Sequence, residues 1–85
     1  MPRVLDETKR DELLATIVES YPDEVDVGAL GIDDEGVCRA TLAYMEENGF
    51  INVRWIPAMA GKSPLNVSAT AYGYDYAEKA GLLED

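Results

Sequence analysis

Histidine is absent from this 85-residue chain, cysteine and tryptophan occur once each, and seven lysines and arginines stand against 17 aspartates and glutamates. The missing histidine excludes Ser-His-Asp and Cys-His nucleophile systems and every histidine metal site. A single cysteine, Cys38, excludes an internal disulfide, and with no histidine to activate it the residue reads as a small buried hydrophobe. No apolar run approaches the roughly 20 residues that a membrane-crossing helix needs, and no glycine-rich phosphate cradle occurs. The charged run DETKRDE (residues 6–12) stands where a secretion signal would carry its apolar core, so a cytoplasmic location is expected. Adjacent acids in IDDEG (residues 32–36) lack the alternating ligands and closing bidentate glutamate of a calcium loop, and read better as acids at the start of a helix. No catalytic residue, metal or cofactor is expected.

What is present is an ordinary globular composition, 47% apolar and 28% charged, too hydrophobic to stay disordered. At this length the expectation is one domain, residues 1–85, burying about 60–65% of the surface its unfolded chain exposes. The net charge of −10 repels polyanions and anionic membrane surfaces. It makes basic protein surfaces the better default partners.

Along the chain, Asp6 or Thr8 can cap a first helix whose apolar face is Leu14, Ile17, Val18 and Tyr21, ending at Pro22. Val25 and Val27 then alternate with acids like a short strand, and the glycine-rich segment VDVGALGID (residues 25–33) has room for no more than one helical turn. Asp33 or Asp34 caps a second helix with apolar positions Val37, Cys38, Thr41, Leu42, Tyr44 and Met45. Its stop is ENGF (residues 47–50): Gly49 sits where a left-handed backbone is wanted, and Phe50 can touch Met45 across the helix end. The period then switches to two, with Ile51, Val53 and Trp55 on one face and Asn52 and Arg54 on the other. After the loop PAMAGKSP (residues 57–64), Leu65, Val67, Ala69 and Ala71 alternate again, so the two strands form a hairpin. Thr70 can cap a tyrosine-rich last helix with Tyr72, Tyr76 and Ala80 on one side, Tyr74 and Ala77 on another, and Gly81 at its end. Gly73 near its start costs about 0.5–1 kcal/mol in a helix interior, which implies a close approach to the backbone there.

This order, helix, short strand, short link, helix, two-stranded hairpin, helix, resembles the winged helix-turn-helix superfamily, an α+β fold. LAYMEENGFI (residues 42–51) is similar to the family's recognition-helix end running into the wing. VSATAYGYDYAEKAG (residues 67–81) is similar to the start of the closing helix in small members, including ones of phage and prophage origin. The resemblance implies a DNA-binding transcriptional regulator, with Arg39, Arg54 and Lys62 as the contacts and Lys9 and Arg10 on the phosphate backbone. Two departures stand out: the segment before the recognition helix is too short to be a complete helix, and the wing RWIPAMAGKSPL (residues 54–65) is poor in basic residues.

Because duplex affinity rests on Lys and Arg neutralising phosphates, the acids weigh toward a second reading: a non-enzymatic protein-interaction module on a winged-helix frame. In that reading Ile56 and Met59 of the hairpin loop and Glu46 and Glu47 at the end of the second helix meet a protein partner with a basic surface, as an inhibitor or DNA mimic would. Glu46 and Glu47 would otherwise oppose both a phosphate backbone and the helix dipole. The chain is expected to act as a monomer or homodimer, with the last helix either packed on the body or forming a dimer seam.

Overall fold

The computed structural model describes residues 3–59 and 61–83. Helix α1 spans Glu7–Val18, and the Asp6 carboxylate caps it by accepting the Lys9 N–H at 2.9 Å. Its buried face is Leu13, Leu14, Ile17 and Val18. The helix stops at Val18, ahead of Pro22, and Tyr21 is not on the core face: it is exposed and lies against Tyr74, ring centroids 5.3 Å apart.

Strand β1 is only Val25–Asp26, and Val27 belongs to the 3₁₀ turn Val27–Leu30 that follows, not to the strand. The Asp26 side chain accepts the Gly28 N–H at 3.1 Å, starting the turn, and Gly31 leaves it at φ +75°. The link is therefore shorter than a full helix, as its glycines imply. Helix α2 spans Glu35–Glu47, capped by Asp34 through the Val37 N–H at 3.0 Å. Cys38, Thr41, Leu42 and Met45 are buried, whereas Tyr44 is exposed beneath the Arg10 guanidinium, 4.9 Å from its ring centroid. The buried Thr41 hydroxyl is satisfied by the Leu5 N–H at 3.0 Å. At the carboxyl end, the Gly49 N–H reaches the Glu46 carbonyl at 2.9 Å and the Phe50 N–H reaches that of Met45 at 3.1 Å. With Gly49 at φ +82° this is a Schellman stop, and it aims the chain directly into the hairpin.

Strands β2 (Ile51–Ala58) and β3 (Gly61–Ala69) pair antiparallel, and β1 adds to the other side of β3, giving the order β1-β3-β2. The segment PAMAGKSP is not a long loop: β2 runs through Pro57 to Ala58 and β3 starts at Gly61 and runs through Pro64, with Met59 in the turn. The prolines are tolerated because β2 is an edge strand and because β1 covers β3 only at Asn66 and Val67, leaving β3 free of a second neighbour at Pro64. The register shifts by one residue between Arg54, paired with Asn66, and Trp55, paired with Pro64. Leu65 is the extra residue of that bulge and is turned out, 41% exposed, instead of continuing the inward row of Val67 and Ala69. Ala71 likewise leaves the strand pattern, because β3 ends at Ala69 and Thr70 caps helix α3, Ala71–Lys79, through the Gly73 N–H at 2.9 Å.

Helix α3 packs on the body through Gly73 and Ala77. A Cβ at Gly73 would lie 2.1 Å from the Phe50 carbonyl oxygen, so the glycine permits a helix-to-backbone contact that any side chain would block. Leu14, Ile17, Leu42, Met45, Ile51 and Val67 form the centre of the core, joining α1, α2 and the sheet. The element order and the antiparallel hairpin make this a winged helix, α+β.

Candidate nucleic-acid interface

The surface that α2 turns away from the core is a row of Gly36, Arg39, Ala40 and Ala43, spaced to share one helical face. Three of these side chains are a hydrogen or a methyl group, so a partner surface can approach the helix closely. The row faces the hairpin, and together with Trp55 and Lys62 it lines a shallow concavity of about 280 Å³. Lys62 lies with its ammonium 4.7 Å from the Trp55 ring centroid. From the other wall, Arg39 reaches the hairpin tip, its Nη2 3.4 Å from where a Gly61 Cβ would be. Two cations from distant parts of the sequence thus converge on one face.

Glu46 fixes this arrangement. Its Oε2 accepts the Val53 N–H at 2.9 Å and its Oε1 accepts the Trp55 Nε1–H at 3.0 Å. The carboxylate therefore clips the outer edge of β2 to the last turn of α2 and sets how the hairpin stands beside the helix. Expected on a partner-facing surface, Glu46 instead has both oxygens engaged within the fold. Glu47 is exposed and extends the Gly36–Ala43 row by one turn, so an acid does stand at the carboxyl end of the row. Asp33, Asp34 and Glu35 border its other end.

Of the other residues singled out from the sequence, Arg54 is on the opposite face of β2 and pairs with Glu24 at 2.9 Å, both side chains being well exposed. A pair so open to water contributes about 0.2–1 kcal/mol and is readily exchanged. Lys9 and Arg10 do not line the concavity; Arg10 donates to the Leu5 carbonyl at 2.7 Å. Ile56 is 39% exposed and Met59 fully exposed at the hairpin tip. The structure therefore brings Arg39 and Lys62 together, and keeps Arg54 apart from them.

One sequence signal predicts this charge segregation. No aspartate or glutamate occurs from Asn48 to Tyr74, although the chain holds 17. The whole hairpin is acid-free, and its basic residues are Arg54 and Lys62. Among the described residues, the acids lie on and beside α1, in the segment from Asp23 to Asp26, at the two ends of α2 and on α3. Among the described residues, no group of three or more His, Cys, Asp or Glu could hold a metal ion, and no helix is long and apolar enough to cross a membrane.

No protein-family model and no curated protein matches the chain. Among solved structures it is similar to a PadR family transcription regulator from hypervirulent Clostridium difficile R20291, with a TM-score of 0.58 and 17% identity over 86% of this chain and 83% of that one. A PadR family transcriptional regulator from Eggerthella lenta DSM 2243 is similar at a TM-score of 0.55 and 15% identity, over 89% of this chain and 74% of that one. At these identities the likeness establishes the winged-helix fold.

Proposed function

We propose that the protein is a non-enzymatic, cytoplasmic winged-helix regulator that binds duplex DNA with the Gly36–Ala43 row of α2 and the hairpin. The observation that carries this reading is the acid-free hairpin set beside Arg39 in a chain of net charge −10. The concavity that Arg39 and Lys62 line with Gly36, Ala40, Ala43 and Trp55 has no acid on its walls. The transcription regulators that share the fold support the same reading. It reverses the preference that net charge alone gives, because a partner meets a local face before it meets the sum.

The face is sparsely charged, and that sets the binding regime. Arg39 and Lys62 together neutralise about two phosphates per chain, for a slope of log K against log salt near −2. Binding by one chain is therefore weak, and two copies on one duplex would double the slope. The outward side of α3 offers a seam for such pairing: Tyr72, which is 61% exposed, with Tyr76 and Ala80 lines a groove of about 400 Å³. Addition of a random-sequence duplex to ¹⁵N-labelled protein tests the reading. Amide shifts confined to Gly36, Arg39, Ala40, Ala43 and Lys62 are expected, and shifts centred on α1 or α3 would refute it.

The exposed apolar pair Ile56 and Met59 favours a second reading, in which the hairpin tip contacts a protein partner. Met59→Ala, which leaves the charge of the hairpin as it is, should then weaken partner capture while leaving duplex binding unchanged.

A further inference from the structure

The short link between β1 and α2 leaves a groove of about 480 Å³ beside α1. One wall is the α1 ridge Lys9, Glu12, Leu13 and Thr16, spaced as one row along the helix. The other is the end of the link and the start of α2, where Leu30, Ile32 and Val37 supply apolar surface. A wall made of a helical ridge gives a groove that runs parallel to the helix. From Lys9 to Thr16 that ridge extends about 10 Å, two helical turns, at 1.5 Å per residue. The groove is shaped for another helix.

Its rim is acidic. Glu12, Asp33 and Asp34 line it with Lys9 as the opposing cation, and the rim faces a different direction from the acid-free row, since Val37 lies about 100° around α2 from Gly36. We propose that this groove docks an amphipathic helix of a partner protein, its apolar residues at helical spacing filling the floor of Leu13, Leu30, Ile32 and Val37. Lysines or arginines on the flanks of that helix meet Glu12, Asp33 and Asp34. Helix-in-groove recognition of this kind reads anchors at i, i+3 or i+4, and i+7. The acids that count against DNA binding in the whole-chain charge thus have a partner of their own. The inference stands on the groove and its charge, and does not require the α2–hairpin face to bind DNA.

A fluorescein-labelled Leu/Lys peptide of roughly 14 residues, with leucines at helical spacing, is the probe. Its scrambled version has the same composition without the apolar stripe. Anisotropy titrations of the whole chain should show the patterned peptide binding roughly tenfold tighter than the scrambled one, with amide shifts at Leu13, Ile32 and Val37. Thr16→Arg, an exposed helix substitution that crowds the groove, and Asp33→Lys, an exposed charge reversal, should each remove that preference. Asp75→Lys makes the same charge change outside the groove and should keep it. Equal affinity for the two peptides, equal loss of preference in Asp75→Lys, or shifts centred elsewhere would overturn the proposal.

Discussion

Replacing Glu46 separates its structural work from its charge. In the native protein its two oxygens accept from the Val53 N–H at 2.9 Å and the Trp55 Nε1–H at 3.0 Å. Hydrogen bonds to a charged group contribute about 1.5–3 kcal/mol each, and about 1–1.5 kcal/mol each at this half-exposed site, where water replaces part of what is lost. Glutamine keeps one acceptor oxygen and turns an amide N–H₂ toward the other donor, so Glu46→Gln should lose one bond and about 1 kcal/mol. Alanine loses both, about 2–3 kcal/mol. For a domain of this size each kcal/mol moves Tm by about 4–8 °C, which puts Glu46→Ala roughly 10–20 °C below the native protein. Trp55 is the one tryptophan of the chain, so its fluorescence reports the clip directly. Emission should shift to the red in Glu46→Ala and by less in Glu46→Gln, in native buffer, before any unfolding. Unchanged emission together with an unchanged Tm in Glu46→Ala would refute the clip. A red shift without loss of duplex binding would show that the hairpin's stance does not matter to the interface.

Gly73→Ala places a Cβ 2.1 Å from the Phe50 carbonyl oxygen, which also accepts from the Thr70 N–H at 3.0 Å. Overpacking of about 1–3 kcal/mol should outweigh alanine's better helix propensity of about 1 kcal/mol, and a urea midpoint at or above the native value would contradict this. Glu47→Lys removes the acid that ends the Gly36–Ala43 row and adds about one phosphate contact, so duplex affinity should rise and the salt slope steepen by about 1; no change would place that row outside the interface. Burial, the neighbouring Asp11 carboxylate and the hydrogen bond donated to it raise the Tyr76 pKa above its ordinary 10.0, and burial followed by the charge of Glu35 raises that of Cys38 above 9.0. Both groups hold their protons more tightly folded than unfolded, so their contribution is complete below pH 9 and is lost as pH rises past 10. Stability measured by urea midpoints should fall across that range, less steeply in Tyr76→Phe, and an equal slope in the two proteins would contradict it.

Local signals made most of the fold legible. The Asp6, Asp34 and Thr70 caps, the Gly49 stop and the close approach at Gly73 each depend on a few neighbouring residues, and each is visible in the chain. The hairpin was harder because its prolines read as loop punctuation. Whether a proline breaks a strand depends on the strand's being at an edge, a property of the sheet and not of the segment. Leu65 escaped for a related reason, since a bulge resets the alternation that the sequence pattern assumes. At the candidate interface, Arg39 and Lys62 could be named from the sequence but not brought together, because their proximity depends on how the hairpin folds against α2. Glu46 read as surface charge because nothing local shows that Val53 and Trp55 supply donors across the helix end. The acid-free run from Asn48 to Tyr74 was in plain view, and whole-chain charge hid it.

The most direct test of DNA binding by the α2–hairpin face is fluorescence anisotropy of a labelled duplex titrated with native protein and with Arg39→Glu/Lys62→Glu, at several salt concentrations. Binding that weakens with salt at a slope near −2 per chain, and that disappears in the double variant, is the expected result. Absence of binding at high micromolar protein in low salt, or equal binding by the double variant, would contradict it.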